Sequence, residues 1–218
     1  MCTAACFGGS LFRQRLRLWF RVGGDKRYLS HHDMMRLWER ALRRAGLPLR
    51  MSEGFNPRPR MSLVEPRSVG IASEAEILEF ELADWVNPDA VLEDLKRQVP
   101  AGIELASLDL LRPADKARPQ TVAYVARLAQ PCADLPERAA RLMAQAEAPV
   151  VRHRPTGAKA LDARAFIQTL EADAGHVRMT VRTGPTGTVR ADEVLRLLGL
   201  SAEAVARADI RRTEIRLG

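Results

Sequence analysis

Ser30-His31-His32-Asp33-Met34-Met35-Arg36-Leu37-Trp38-Glu39-Arg40-Ala41-Leu42-Arg43-Arg44-Ala45-Gly46 is the stretch from which the rest of the chain is read. Ser30 is a favourable N-cap, and Asp33 stands three residues on, where its carboxylate meets free backbone N–H groups. Met34, Leu37, Trp38, Ala41, Leu42 and Ala45 recur at helical spacing and predict one apolar stripe. Gly46 and Pro48 stop the helix. Its other face carries His32, Arg36, Arg40 and Arg43, with Glu39 placed to pair with Arg43.

Working outward, Arg15 to Val22 alternates as a strand. Leu16, Leu18, Phe20 and Val22 face one way, and Arg15, Arg17, Trp19 and Arg21 the other. Beyond the helix, Leu49 to Phe55 reads as a second strand. It runs into the loop Gly54-Phe55-Asn56-Pro57-Arg58-Pro59-Arg60. Pro57 and Pro59 fix their own φ and push Asn56 and Arg58 into extended backbone, so Arg58 and Arg60 sit on a stiff support. Met61 to Ser73 reads as a connector, Glu76 to Leu82 as a strand, Pro88 as the start of a helix and Ile103 to Leu110 as a strand. That order, βαββαβ, is ferredoxin-like.

Arg112 to Gln120 reads as a linker, after which the order of elements recurs. Strands are expected at Val122 to Leu128, Val150 to Arg154, His176 to Arg182 and Ile210 to Leu217. Helices are expected at Leu135 to Ala146 and Ala191 to Leu198, with an inserted helix at Ala163 to Leu170. The expected architecture is α+β, two tandem ferredoxin-like halves at 13–111 and 121–218 behind a loose N-terminus at 1–12.

The chain has 218 residues, 46% of them hydrophobic, enough for a substantial core. No apolar run approaches a membrane span, and the first residues lack the basic segment of a signal peptide. With three Cys and no disulfide framework, a cytoplasmic, reducing compartment is expected. The net charge of +7 is uneven. Arg13 to Arg60 holds 13 basic and 4 acidic residues, a net of +9, whereas Met61 to Val150 carries a net −6. A concentrated basic segment is a footprint for an anionic partner, most often nucleic acid. The nucleic-acid candidates are Arg15, Arg17 and Trp19 on the strand, Arg36, Arg40 and Arg43 on the helix, and Asn56, Arg58 and Arg60 on the loop. Arginines around an aromatic suit single-stranded RNA. The competing expectation pairs Arg17 and Arg21 with Glu79 and Glu81 across the sheet.

His31 is the candidate catalytic residue, as a general base beside a helix N-terminus. Neighbouring His32 points elsewhere on the helix, and no carboxylate or Cys cluster has metal spacing, so no metal site is expected. Cys2 and Cys6 have the first spacing of a Cys-x3-Cys-x2-Cys iron–sulfur motif, but its third position is Gly9. No cofactor is therefore expected on this chain. Arg152-His153-Arg154 with Lys159 and Arg164 forms a second basic cluster.

Tyr28-Leu29-Ser30-His31, the run Arg40 to Pro48, and Gly54 to Arg60 resemble the radical SAM-linked proteins, from Leu16 onward. Members of that family are encoded beside, or fused to, a radical S-adenosylmethionine enzyme. The resemblance implies such an enzyme as partner. His32 stands where an apolar residue is usual and Arg58 where a His is common. The functional expectation is an accessory, RNA-binding or substrate-presenting subunit, with tRNA or rRNA as ligand. The alternatives are a stand-alone RNA endonuclease using His31, and a protein-interaction subunit that meets no nucleic acid.

Overall fold

The computed structural model describes residues 14–112, 115–154, 157–184 and 187–218. The expected loose terminus and the Cys2, Cys6 and Gly9 positions lie outside these residues. The chain is a mixed α+β protein. It divides into one unit of residues up to Pro66 together with Glu76–Lys116, and another of Arg67–Ala75 together with Ala117–Gly218.

In the first unit, β1 (Gln14–Val22), α1 (His31–Arg44), β2 (Met61–Val64), β3 (Ala72–Leu82, whose first four residues belong to the other unit), α2 (Pro88–Lys96) and β4 (Ile103–Leu111) follow in order. The strands lie side by side as β4-β1-β3-β2. Leu16, Leu18, Phe20 and Val22 of β1 are at most 2% exposed and share one core with Met34, Leu37, Trp38, Ala41 and Leu42 of α1 and Val91 and Leu95 of α2. Phe20 and Trp38 meet edge to face at 4.7 Å, and truncating either to Ala would cost about 3–5 kcal/mol. Helix α1 begins as its sequence requires: Ser30 Oγ accepts the Asp33 backbone N–H, and the Ser30 hydroxyl donates to Asp33 Oδ2 at 2.7 Å. After β1 the chain turns against the turn that follows α2, where the Gly23 N–H donates to the Gly102 carbonyl at 2.9 Å. Gly102 has φ +90°, and a Cβ there would lie 2.9 Å from the Gly23 oxygen, so only glycine fits.

The second strand is not where alternation puts it. Leu49 to Phe55 is no strand; it makes isolated bridges, Leu49 to Leu82 and Met51 to Pro59. The sheet position goes to Met61–Val64, expected as connector, in antiparallel register with Ile77 to Phe80. Pro57 and Pro59 lack backbone donors, so the segment before Met61 closes on itself instead of supplying a continuous ladder. Ile77, which strand alternation would turn outward with Glu79 and Glu81, is buried.

The second unit holds β5 (Pro119–Arg127), α3 (Leu135–Ala144), β6 (Pro149–Arg154), β7 (Gly157–Asp162), β8 (Ile167–Ala172), β9 (His176–Arg182), α4 (Ala191–Leu197), α5 (Ala202–Arg207) and β10 (Asp209–Leu217). Its strands lie as β10-β5-β9-β8, the same arrangement as in the first unit, and Arg211 and Arg212 pair in parallel with Ala72 and Ser73. Strands β6 and β7 form a separate hairpin. The inserted helix expected at Ala163 to Leu170 is a correction. One turn closes from Phe166 and Ile167 back to the Ala163 carbonyl, and the chain then runs extended as β8, pairing with β9. The helical propensity of its Ala and Leu yields to the hydrogen-bonding edge that β9 offers. The expected strand at Val150 to Arg154 pairs with β7, leaving β8 the sheet position. Among the described residues no helix is long and apolar enough to cross a membrane.

Candidate nucleic-acid interface

The segment 50–60 folds as a closed, irregular hairpin. The Arg60 N–H donates to the Arg50 carbonyl at 2.8 Å, the Ser52 N–H to the Arg58 carbonyl at 2.7 Å, and the Arg58 N–H to Ser52 Oγ at 3.0 Å. Its base joins β3, with Arg50 N–H donating to the Glu81 carbonyl and Glu81 N–H to the Arg60 carbonyl. Gly54 turns the tip at φ +120°. Residues Glu53 to Arg58 are all exposed, and Phe55 stands clear of the protein at 107% relative exposure. Asn56 and Arg58 are therefore presented at the tip, and among the described residues no carboxylate pairs with Arg58. Arg60 behaves differently: it lies 3.8 Å from Glu53, and its Nε is buried without a hydrogen-bond partner.

The outer face of α1 carries Arg36, Arg40 and Arg43, all exposed. Arg43 pairs with Glu39 at 3.0 Å, as the four-residue spacing predicts, and Arg36 lies 3.7 Å from Asp33. Arg40 has no partner among the described residues. Pairs this exposed contribute about 0–1 kcal/mol each and leave the cations available.

On β1 the basic side chains are committed to carboxylates. Glu79 accepts from Arg15 Nη2 at 3.1 Å and from Arg17 Nε and Nη2 at 3.0 and 2.8 Å, and all three side chains are at most 21% exposed. Arg15 also donates to the Asp115 carbonyl at 2.9 Å. The Trp19 indole N–H donates to Asp109 Oδ2 at 2.7 Å. Glu81 takes Arg50 at 2.6 Å rather than Arg21, which lies 3.8 Å from Glu104. A hollow of about 240 Å³ brings Arg60 beside Arg15, but Glu79 and Glu81 line it too, so its fixed charge is balanced.

The candidates thus fall into separate groups. The even-numbered side of β1 packs on α1, so the helix arginines point away from the sheet while Arg15, Arg17 and Trp19 occupy its opposite face. His31 is exposed, and its ring lies 5.7 Å from that of His32. Among the described residues no carboxylate is hydrogen-bonded to it, and there is no group of three or more His, Cys, Asp or Glu placed to bind a metal. In the second basic cluster, Arg152 is bound to Glu193, and Arg164 donates to the Met143 and Ile167 carbonyls. The side chains of His153, Arg154 and Lys159 lie outside the described residues. Two features of the surface escaped the sequence reading. One is Phe55, which alternation placed in a strand. The other is Tyr28, 57% exposed with the Arg27 guanidinium 4.9 Å from its ring centre.

A family model described as "Uncharacterized protein conserved in bacteria (DUF2344)" matches residues 15–191. The chain belongs to this DUF2344 family. The search of curated proteins returned no match. The DUF2344 match runs from β1 through β9 to the first residue of α4, so the candidate residues on β1, α1 and the hairpin all fall inside it.

Proposed function

We propose that this DUF2344 protein is a cytoplasmic RNA-binding accessory subunit that presents tRNA or rRNA to a radical S-adenosylmethionine enzyme. The observation that carries the RNA reading is the pairing of charge in the first unit. Among the described residues Arg40 and Arg58 have no carboxylate partner, and they stand on a capped helix and a closed hairpin that lose little entropy on binding. Unpaired, pre-placed cations are what phosphate contacts require. The sheet face, neutralised by Glu79 and Asp109, is secondary. The enzyme partner is supported by the motifs Tyr28 to His31, Arg40 to Pro48 and Gly54 to Arg60, which resemble the radical SAM-linked proteins.

Two measurements test the reading. Wild-type protein should bind single-stranded RNA with an affinity that falls as salt rises; no binding tighter than about 100 μM in moderate salt removes the RNA reading. Co-expression with a radical S-adenosylmethionine enzyme from the same genome should give a complex that survives gel filtration, whereas two separate peaks remove the stable subunit.

A further inference from the structure

We infer that Phe55 is a stacking finger, taking an unpaired base of a single-stranded RNA onto its ring while Arg58 holds the adjoining phosphate. This rests on the RNA reading above and names the substrate class of that site: unpaired nucleotides rather than duplex.

Phe55 has a relative exposure of 107%, so no described residue shelters the ring. Its neighbours on the tip are Glu53, Gly54, Asn56, Pro57 and Arg58, all exposed. Only Pro57 among them is apolar, so the ring is not the centre of a hydrophobic patch of the kind a protein interface buries. A lone aromatic three residues from an exposed guanidinium that has no carboxylate partner among the described residues offers a π-face that accepts any base and a cation for the phosphate beside it. The support is built in advance. Bonds from Ser52 and Arg58 close the hairpin at 2.7 and 3.0 Å, and Pro57 and Pro59 fix their own φ. Gly54 adopts φ +120°, where an L side chain would be strained. In a duplex the base faces are covered by their neighbours, so a ring at a hairpin tip meets only a base that is already splayed.

The test is fluorescence anisotropy of short labelled RNAs, single-stranded and duplex, with wild type, Phe55→Ala and Phe55→Trp, each checked by circular dichroism. Phe55→Ala should weaken single-strand binding roughly 5- to 150-fold with the salt slope unchanged, because stacking releases no counterion. Phe55→Trp should restore affinity and quench its own fluorescence on binding, and duplex affinity should be the same for all three proteins. If wild type binds RNA in a salt-dependent way and Phe55→Ala stays within about twofold of it, the finger is overturned while the RNA reading stands. If wild type binds no RNA, both fall. Loss of the protein complex on Phe55→Ala would then assign the ring to a protein contact.

Discussion

The sheet face of β1 and the hairpin of residues 50–60 are both arginine-rich in sequence, and they end in opposite electrostatic states. Arg15 and Arg17 converge on Glu79, a residue more than sixty positions away, and lose most of their exposure. Arg58 sits on an exposed tip, and among the described residues no carboxylate forms an ion pair with it. A strand exposes its side chains to two neighbours at fixed spacing, so a carboxylate two strands over in sequence is one strand over in space. A hairpin tip has no such neighbours. Charge counted along the chain therefore measures a patch only where the topology leaves it unpartnered.

The paired arginines should reveal themselves through stability and the unpaired ones through binding. The largest stability effect is expected at the best-buried pair, in the second unit. Glu193 is 5% exposed, grips Arg152 through bonds of 2.7 and 2.6 Å, and also accepts the Arg190 N–H at 2.8 Å. Removing it as Glu193→Ala leaves Arg152 uncompensated and should cost about 3–5 kcal/mol in urea denaturation. Replacing both partners with apolar residues of similar volume should cost far less.

Next is Glu79→Ala, which removes the carboxylate that Arg15 and Arg17 share. With their side chains partly exposed, the expected loss is about 1–3 kcal/mol, read from the urea midpoint of the first unit.

A pH series sharpens the Glu193 comparison. Burial pushes its carboxyl up, but the hydrogen bonds from Arg152 and Arg190 and the Arg152 charge outweigh burial and leave it below the ordinary 4.5. A depressed folded value means the contribution is complete above the unfolded value and is lost as pH falls through the folded one. The stability gap between wild type and Glu193→Gln should therefore be constant near neutrality and close progressively below about pH 4.5. A gap that widens on acidification would reverse the assignment.

How far this division was legible in sequence differs by element. The helix from Ser30 to Gly46 was fully readable, because cap, stripe and stop are local signals that agree. Arg43 with Glu39 was readable for the same reason. Glu79 was expected to meet the strand arginines because strand pairing follows from the βαββαβ order. Its choice of both Arg15 and Arg17, leaving Glu81 to Arg50, depended on register and on where the hairpin base docks. The hairpin itself was misread as strand. Its closure hangs on the Ser52 and Arg58 bonds, which no periodicity announces, and Phe55 was lost as a surface residue with it. Strand β8 was misread as helix because the edge of β9 is a tertiary fact.

The smallest effect on stability and the clearest on function are expected at Arg40 and Arg58. Their joint replacement by Ala should change stability by no more than about 0.5 kcal/mol, since both are exposed and neither has an ion-pair partner among the described residues.

The measurement that tests the central claim most directly compares that double variant with Arg17→Gln, Glu79→Gln, which removes one charge of each sign from the sheet face. The readout is the salt dependence of single-stranded RNA affinity. Loss of two phosphate contacts at Arg40 and Arg58 should lower the slope of log K against log salt by about 1.4, at about 0.7 per contact. The sheet-face pair should leave the slope and the affinity at wild-type values. An unchanged slope for Arg40→Ala, Arg58→Ala, with a reduced one for the sheet-face pair, would contradict the account and return the interface to β1.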